Sequence, residues 1–278
     1  MRRIRIAGLC LVAAMAMSII ASSTASAAAP EYGQCNKIVK GTEKKLSMYD
    51  SSKCIKTAGE DAGTEAEKLK KANYEWFPGF VKGKTEFVTS GGVATLATKG
   101  GKTVTCTSET STGNYLEDGS NKKETTVVNF AGCESSKFAC TTVGKASGEL
   151  TTNELLGEVG VEIAAKKKTA LKLWPAPSAA GKFIEFKCIG LEIKVRGKGE
   201  AAGAGILVNI KNDAMKNTEI LKYKATKGVQ KPVKWEGPNP ETYLESNFQN
   251  LGYEQSGQEI ESKVTNVGGT KYELNFVL

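Results

Sequence analysis

The sequence predicts an all-β protein, an antiparallel β-sandwich or barrel with glycine-turn hairpins, stapled by disulfides and preceded by a short irregular or helical segment. Three observations carry this. Short runs alternate apolar and polar residues from about residue 83 to the end, glycines punctuate those runs, and long helical periodicity is absent. Strict alternation gives each strand one dry and one wet face, which suits antiparallel sheets, and closure as a sandwich or barrel removes their edges.

The chain opens with a basic MRRIRI, an apolar AGLCLVAAMAMSIIA and a small-residue STASA-AAP. That order reads as a signal peptide over 1–27, cut after Ala27. The apolar run is short for a membrane span of roughly 20 residues, and no later segment is as apolar. Leu9 stands before Cys10 where a lipoprotein signal wants a small residue. A secreted, extracellular protein is expected. Losing Arg2, Arg3 and Arg5 lowers the formal charge from +8 to +5.

Residues 28–82 read as an N-terminal disulfide loop and charged linker. Within it AGTEAEKLKKANYEWF has good helix formers but a thin apolar stripe, so a short helix or a linker is expected. Residues 83–278 are expected to form the β domain, either as one large unit or as two similar halves, 83–168 and 169–278. FVTS, VATLATK and KTVTCTS are separated by Gly91-Gly92 and Gly100-Gly101, and both pairs suit hairpin turns. In VEIAAKKKTALKLWP, Val159, Val161 and Ile163 alternate outward and Leu171 and Leu173 alternate on the return. FIEFKCIGLEIKVRG changes parity between Cys188 and Leu191, which predicts a β-bulge at Ile189-Gly190. QEIESKVTNVGGTKYELNFVL predicts a last hairpin at Gly268-Gly269.

Without Cys10, six cysteines remain, an even number for an oxidising compartment. No C-x-x-C and no histidine occur, which argues against zinc and against a thioredoxin-type pair. Fifteen pairings are open to six cysteines. Local geometry favours Cys35–Cys54 around a turn-rich loop, Cys133–Cys140 across GCESSKFAC, and Cys106–Cys188 between distant strands.

YGQC, YEWFPGF, a glycine-turn strand ending in VTC, FAGCESSKFAC, GELTTNELLGEVG, ATKGVQKP and YEQSGQEI follow one another in this chain. Together they resemble a group of secreted actinobacterial proteins, over most of the chain after the signal. The resemblance implies export and a cysteine framework, and it implies no activity.

Lack of histidine excludes Ser-His-Asp and Cys-His catalysis in their usual forms. GFVKGKT has three residues between its glycines where a phosphate loop needs four. No D-x-D-x-D loop suggests calcium, so no metal and no cofactor is expected. Lysines are spread along the chain, with one run at Lys166-Lys167-Lys168, which does not describe a nucleic-acid binder. Two chemistries remain. Paired carboxylates would serve a carbohydrate-active hydrolase, with Glu149, Glu154 and Glu75 as catalytic candidates. Exposed aromatics would stack on sugar rings, with Tyr74, Trp76, Trp174 and Trp235 as candidates, although such rings more often fill cores. The expected function is therefore non-enzymatic binding or structure at the cell envelope, with envelope polysaccharide or protein as partner and the hydrolase as alternative.

Overall fold

A computed structural model describes residues 30–38, 49, 51–54, 73–163, 168–211, 214–236 and 241–276. The signal segment and most of the helix candidate lie outside these residues. Of that candidate residues 73–77 are described, and 74–77 are strand.

After β1 (Pro30–Lys37) and β2 (Tyr74–Pro78) the chain runs as eight long antiparallel staves, most of them interrupted once. The first joins β3 (Glu86–Gly91) to β4 (Ala94–Thr98), and the second joins β5 (Thr103–Cys106) to β6 (Ser108–Tyr115). The third is β7 (Lys123–Ala131) with β8 (Glu134–Ser135). The fourth threads β9 (Phe138–Thr141), β10 (Leu150–Thr151) and β11 (Leu155–Ile163). The fifth is β12 (Lys168–Pro175) with β13 (Lys182–Cys188), and the sixth is β14 (Leu191–Gly197) with β15 (Ile206–Asn209). The seventh starts as β16 (Thr218–Thr226), turns through β17 (Val229–Lys231) and resumes as β18 (Leu244–Phe248). The eighth is the single strand β19 (Tyr253–Asn266), after which β20 (Glu273–Phe276) leaves the ring.

Each stave pairs with the next, and β19 returns to the first. Val264 lies opposite Thr89 on β3, and Gln258 lies opposite Leu96 on β4. Hydrogen-bonded ladders run without a gap through β4, β5, β8, β9, β13, β14, β18, β19 and back to β4. The result is an up-and-down eight-stranded barrel, so of the two expected closures the chain adopts the one without sheet edges. Residues 83–168 and 169–278 supply four staves each, and neither set closes alone.

Several local expectations change. Gly91-Gly92 makes no hairpin: Gly91 faces Ser262 and Thr95 faces Glu259, so β3 and β4 stay on one line along β19 with one extra residue between them. A side chain at Gly91 would meet Glu109 Oε2 at 2.7 Å and Ile260 at 2.9 Å, which explains the glycine inside the stave. Ile189-Gly190 is a two-residue hairpin loop, with Cys188 opposite Leu191 and φ of 47° and 83°. The parity change marks that loop, since Ile184 and Phe186 lie across from Val195 and Ile193 on one face. Gly268-Gly269 does not fold β20 onto β19. Instead β20 pairs with β1, and β1 pairs with β2, forming a three-stranded sheet that ties the start of the described chain to its end.

The cysteine pairing also differs. Cys35–Cys54 is present, but Cys133–Cys140 and Cys106–Cys188 are replaced by Cys106–Cys133 and Cys140–Cys188. All four barrel cysteines are buried at one level on four successive staves. Antiparallel ladders alternate hydrogen-bonded pairs about 5.5 Å apart at Cα with narrower non-hydrogen-bonded pairs about 4.5 Å apart. Cys140 N–H donates to the Cys133 carbonyl at 2.8 Å, so these two form a wide pair. The bonded pairs are narrow, with Cα atoms 3.9 Å and 4.1 Å apart. Ladder geometry, not loop length, selects the partners.

Candidate functional site

Inward positions of the staves build one apolar cluster that includes Phe87, Leu155, Leu171, Phe186, Ile193 and Val208. One end is stoppered by rings. Tyr32 from β1 stands 5.1 Å from Tyr115, Phe80 stacks on Tyr115 at 4.6 Å, and Tyr272 meets both edge-on. Between this stopper and the cysteine level the core leaves about 150 Å³ empty. Native interiors close such voids because each missing contact costs dispersion energy.

Polar groups enter this cavity at defined places. On β6 the inward parity is Glu109, Ser111, Gly113 and Tyr115; on β7 it is Glu124, Thr126, Val128 and Phe130. Glu109 is satisfied: Thr89 Oγ1 donates to one oxygen and Ser262 Oγ to the other at 2.8 Å. Burial pushes its carboxyl upward, and those two hydrogen bonds pull the other way.

Glu124 is different. It is 6 % exposed, lies opposite Tyr115 on β6 and opposite Gly157 on β11, and receives no side-chain hydrogen bond from any described residue. A side chain at Gly157 would meet Glu124 Cγ at 2.4 Å, so the glycine is what gives this carboxyl its room. Burial alone pushes Glu124 up to about 8, which leaves it protonated at neutral pH. Tyr32, Tyr115 and Tyr223 lie close enough to feel its charge, and burial raises all three phenols further above their ordinary value. Tyr115 donates to Asn266 Oδ1 at 3.0 Å, whereas the hydroxyls of Tyr32 and Tyr223 make no hydrogen bond within the described residues. An apolar cavity therefore holds a neutral carboxylic acid and two phenols with free hydrogen-bonding capacity.

The catalytic candidates do not reach it. Glu149 and Glu154 are exposed in and beside the loop that interrupts the fourth stave, and Glu149 accepts from Ala146 N–H at 3.3 Å. Glu75 sits on β2 opposite Asn36. Three carboxylates line the cavity: Glu109, Glu124 and Glu219, the last accepting from Lys211 N–H at 3.3 Å, and Glu109 with Glu124 makes no hydrolytic pair. Glu109 lies opposite Phe130, six residues along β7 from Glu124, a span of roughly 20 Å. A glycosidase pair works at about 5–10 Å.

The aromatic candidates fall into two separate places. Trp76 packs against the Cys35–Cys54 disulfide, with Tyr74 beside it on β2. Trp235 lies on the outside of the barrel over Ala170 and Leu207. Lys172 Nζ sits 5.0 Å from the Trp174 ring and 4.8 Å from the Trp235 ring. Both Trp76 and Trp235 are buried, so the four rings present no common stacking face.

The sequence alone does not single out Glu124, Tyr32, Tyr115 and Tyr223. One signal existed: a period of two places Glu124 on the same face as Val128 and Phe130. The tyrosines carry no such mark, because their meeting depends on β1, β6 and β16 converging from distant parts of the chain. Comparison of the chain with protein-family models, with curated proteins and with solved structures finds no match.

Proposed function

We propose that this is a secreted, non-catalytic binding protein that holds one small, largely apolar molecule inside its barrel. The observation that carries the proposal is the 150 Å³ cavity faced by an unpartnered carboxyl and two free phenol hydroxyls. Eight staves enclose either a filled core or room for one small ligand. Leaving polar groups unpaired in an apolar interior costs about 1–3 kcal/mol each. A barrel selected for rigidity alone would gain by replacing them, whereas a ligand with matching polar atoms satisfies them. A void of this volume lined by aliphatic and aromatic side chains accepts a molecule of about benzene size. Export is supported by the basic-apolar-small leader and by three disulfides.

Calorimetric titration with single-ring compounds such as toluene and 2-phenylethanol tests this. The mature protein is expected to bind one equivalent. Val128→Trp, which fills the cavity from β7, is expected to abolish the heat while far-ultraviolet circular dichroism stays that of a folded barrel. If the wild type binds none of these and the protein purified from its native host carries no extractable small molecule, the proposal is wrong.

A further inference from the structure

We infer that the occupant of the barrel is a small aromatic or aliphatic amine, whose ammonium group is held by Glu124 among the rings of Tyr32, Tyr115 and Tyr223. This rests on the binding reading above and adds the ligand's chemical class. All but one of the charged side chains along the cavity are acidic. Glu124 and Glu109 face inward from neighbouring staves, Glu219 lines the wall on β16, and the only lysine on the lining, Lys216, is exposed to solvent. Lys172, the one buried lysine among the described residues, is held outside the barrel wall between Trp174 and Trp235. An anionic ligand would thus meet carboxyls with no inward cation to offset them.

An ammonium meets what it needs. The Glu124 oxygens accept charge-assisted hydrogen bonds, and the Tyr32 and Tyr223 hydroxyls have lone pairs to offer. Desolvated tyrosine faces attract cations as well. The groups facing Glu124 from the packed elements are Tyr32 on β1, Tyr115 on β6, Tyr223 on β16 and Gly157 on β11, with Glu219 on β16 close enough to act on the same Tyr32 and Tyr115, and Glu109 further along the wall. None is a cation, so the ligand supplies the positive charge.

Binding then displaces a proton. In the empty barrel Glu124 is protonated below about 8, and pairing with an ammonium requires the carboxylate. One proton is released per amine bound, so affinity falls about tenfold for each pH unit below 8. An aliphatic amine itself stays protonated to about pH 10.

The experiment titrates the full mature chain with 2-phenylethylamine, 2-phenylethanol and 3-phenylpropionate, three probes of nearly equal size, at pH 6, 7 and 8. The amine is expected to bind at least tenfold more tightly than the alcohol at pH 8 and to lose about 50-fold by pH 6. The alcohol should change little, and the acid should not bind. Glu124→Gln is expected to erase the preference for amine while keeping the alcohol, and Tyr223→Phe to weaken the amine severalfold. An alcohol that binds as tightly as the amine, or an amine preference that survives Glu124→Gln, overturns the amine assignment and leaves the binding reading intact. Failure of all three probes, together with no extractable small molecule in protein from the native host, removes the binding reading itself.

Discussion

The carboxyl of Glu124 gives up its hydration inside the barrel and receives no hydrogen bond from a described residue in return. Its titration therefore couples to folding. In the unfolded chain it titrates near the ordinary value of 4.5, and in the folded barrel at about 8. Between those values the folded state holds a proton that the unfolded state has released. Stability from this group is greatest below about 4.5, falls as pH rises at about 1.4 kcal/mol per unit, and levels off above about 8. Glu124→Gln removes that slope. Chemical denaturation at pH 5, 7 and 9 should show the variant gaining on the wild type at each step. Parallel curves for the two proteins would mean that Glu124 is not a buried neutral acid. The residue was legible only as a parity mark, Glu124 in step with Val128 and Phe130. Glu109 was less legible still, because SETSTGNY is polar on both faces and nothing local says which face is inside.

At the scale of elements, alternation located most strands, and the hairpin of β11 and β12 brings Val159 opposite Leu171 as that alternation requires. Glycine pairs were a less reliable guide, because a glycine serves equally in a turn and beneath a crowding side chain. Gly100-Gly101 turns β4 into β5, while Gly91 passes straight beneath Glu109. Cysteine partners depended on which rungs of the ladder are narrow, a property of register between strands. Non-reducing peptide mapping is expected to recover Cys106–Cys133 and Cys140–Cys188 as separate linked peptides. In a loop-entropy account, Cys140→Ala with Cys188→Ala removes a crosslink over 48 residues and costs about 4 kcal/mol. Removing the pair 27 residues apart, Cys106→Ala with Cys133→Ala, costs slightly less. A peptide joining Cys133 to Cys140 would show that the wide rung had been bridged instead.

For the whole molecule, two joints matter. β19 closes the ring by pairing with β16 and β18 on one side and β3 and β4 on the other. The sheet of β2, β1 and β20 brings Tyr32 into the stopper beside Tyr115 and Phe80. Gly33→Val tests whether this cap opens separately from the barrel. A side chain there would meet the Trp76 ring at 2.4 Å and the Phe77 carbonyl at 2.6 Å, forcing β1 away from β2. Hydrogen exchange is expected to quicken at amides of β1, β2 and β20 while the staves keep their protection. An equal loss of protection in β3 and β19 would make cap and barrel one cooperative unit.

By itself the sequence determined what short-range physics controls: strands with one dry face, the turn at Gly100-Gly101, and an all-β build. It determined equally the absence of histidine chemistry. Tertiary structure alone decided that the staves close into a barrel, which cysteines lie on narrow rungs, and that Glu124 faces three tyrosines across an unfilled cavity. Alternation fixes a residue's face relative to its neighbours two positions away. Which face becomes the inside, and what stands opposite, is set by register between segments as far apart as β3 and β19, and only the closed ring specifies that.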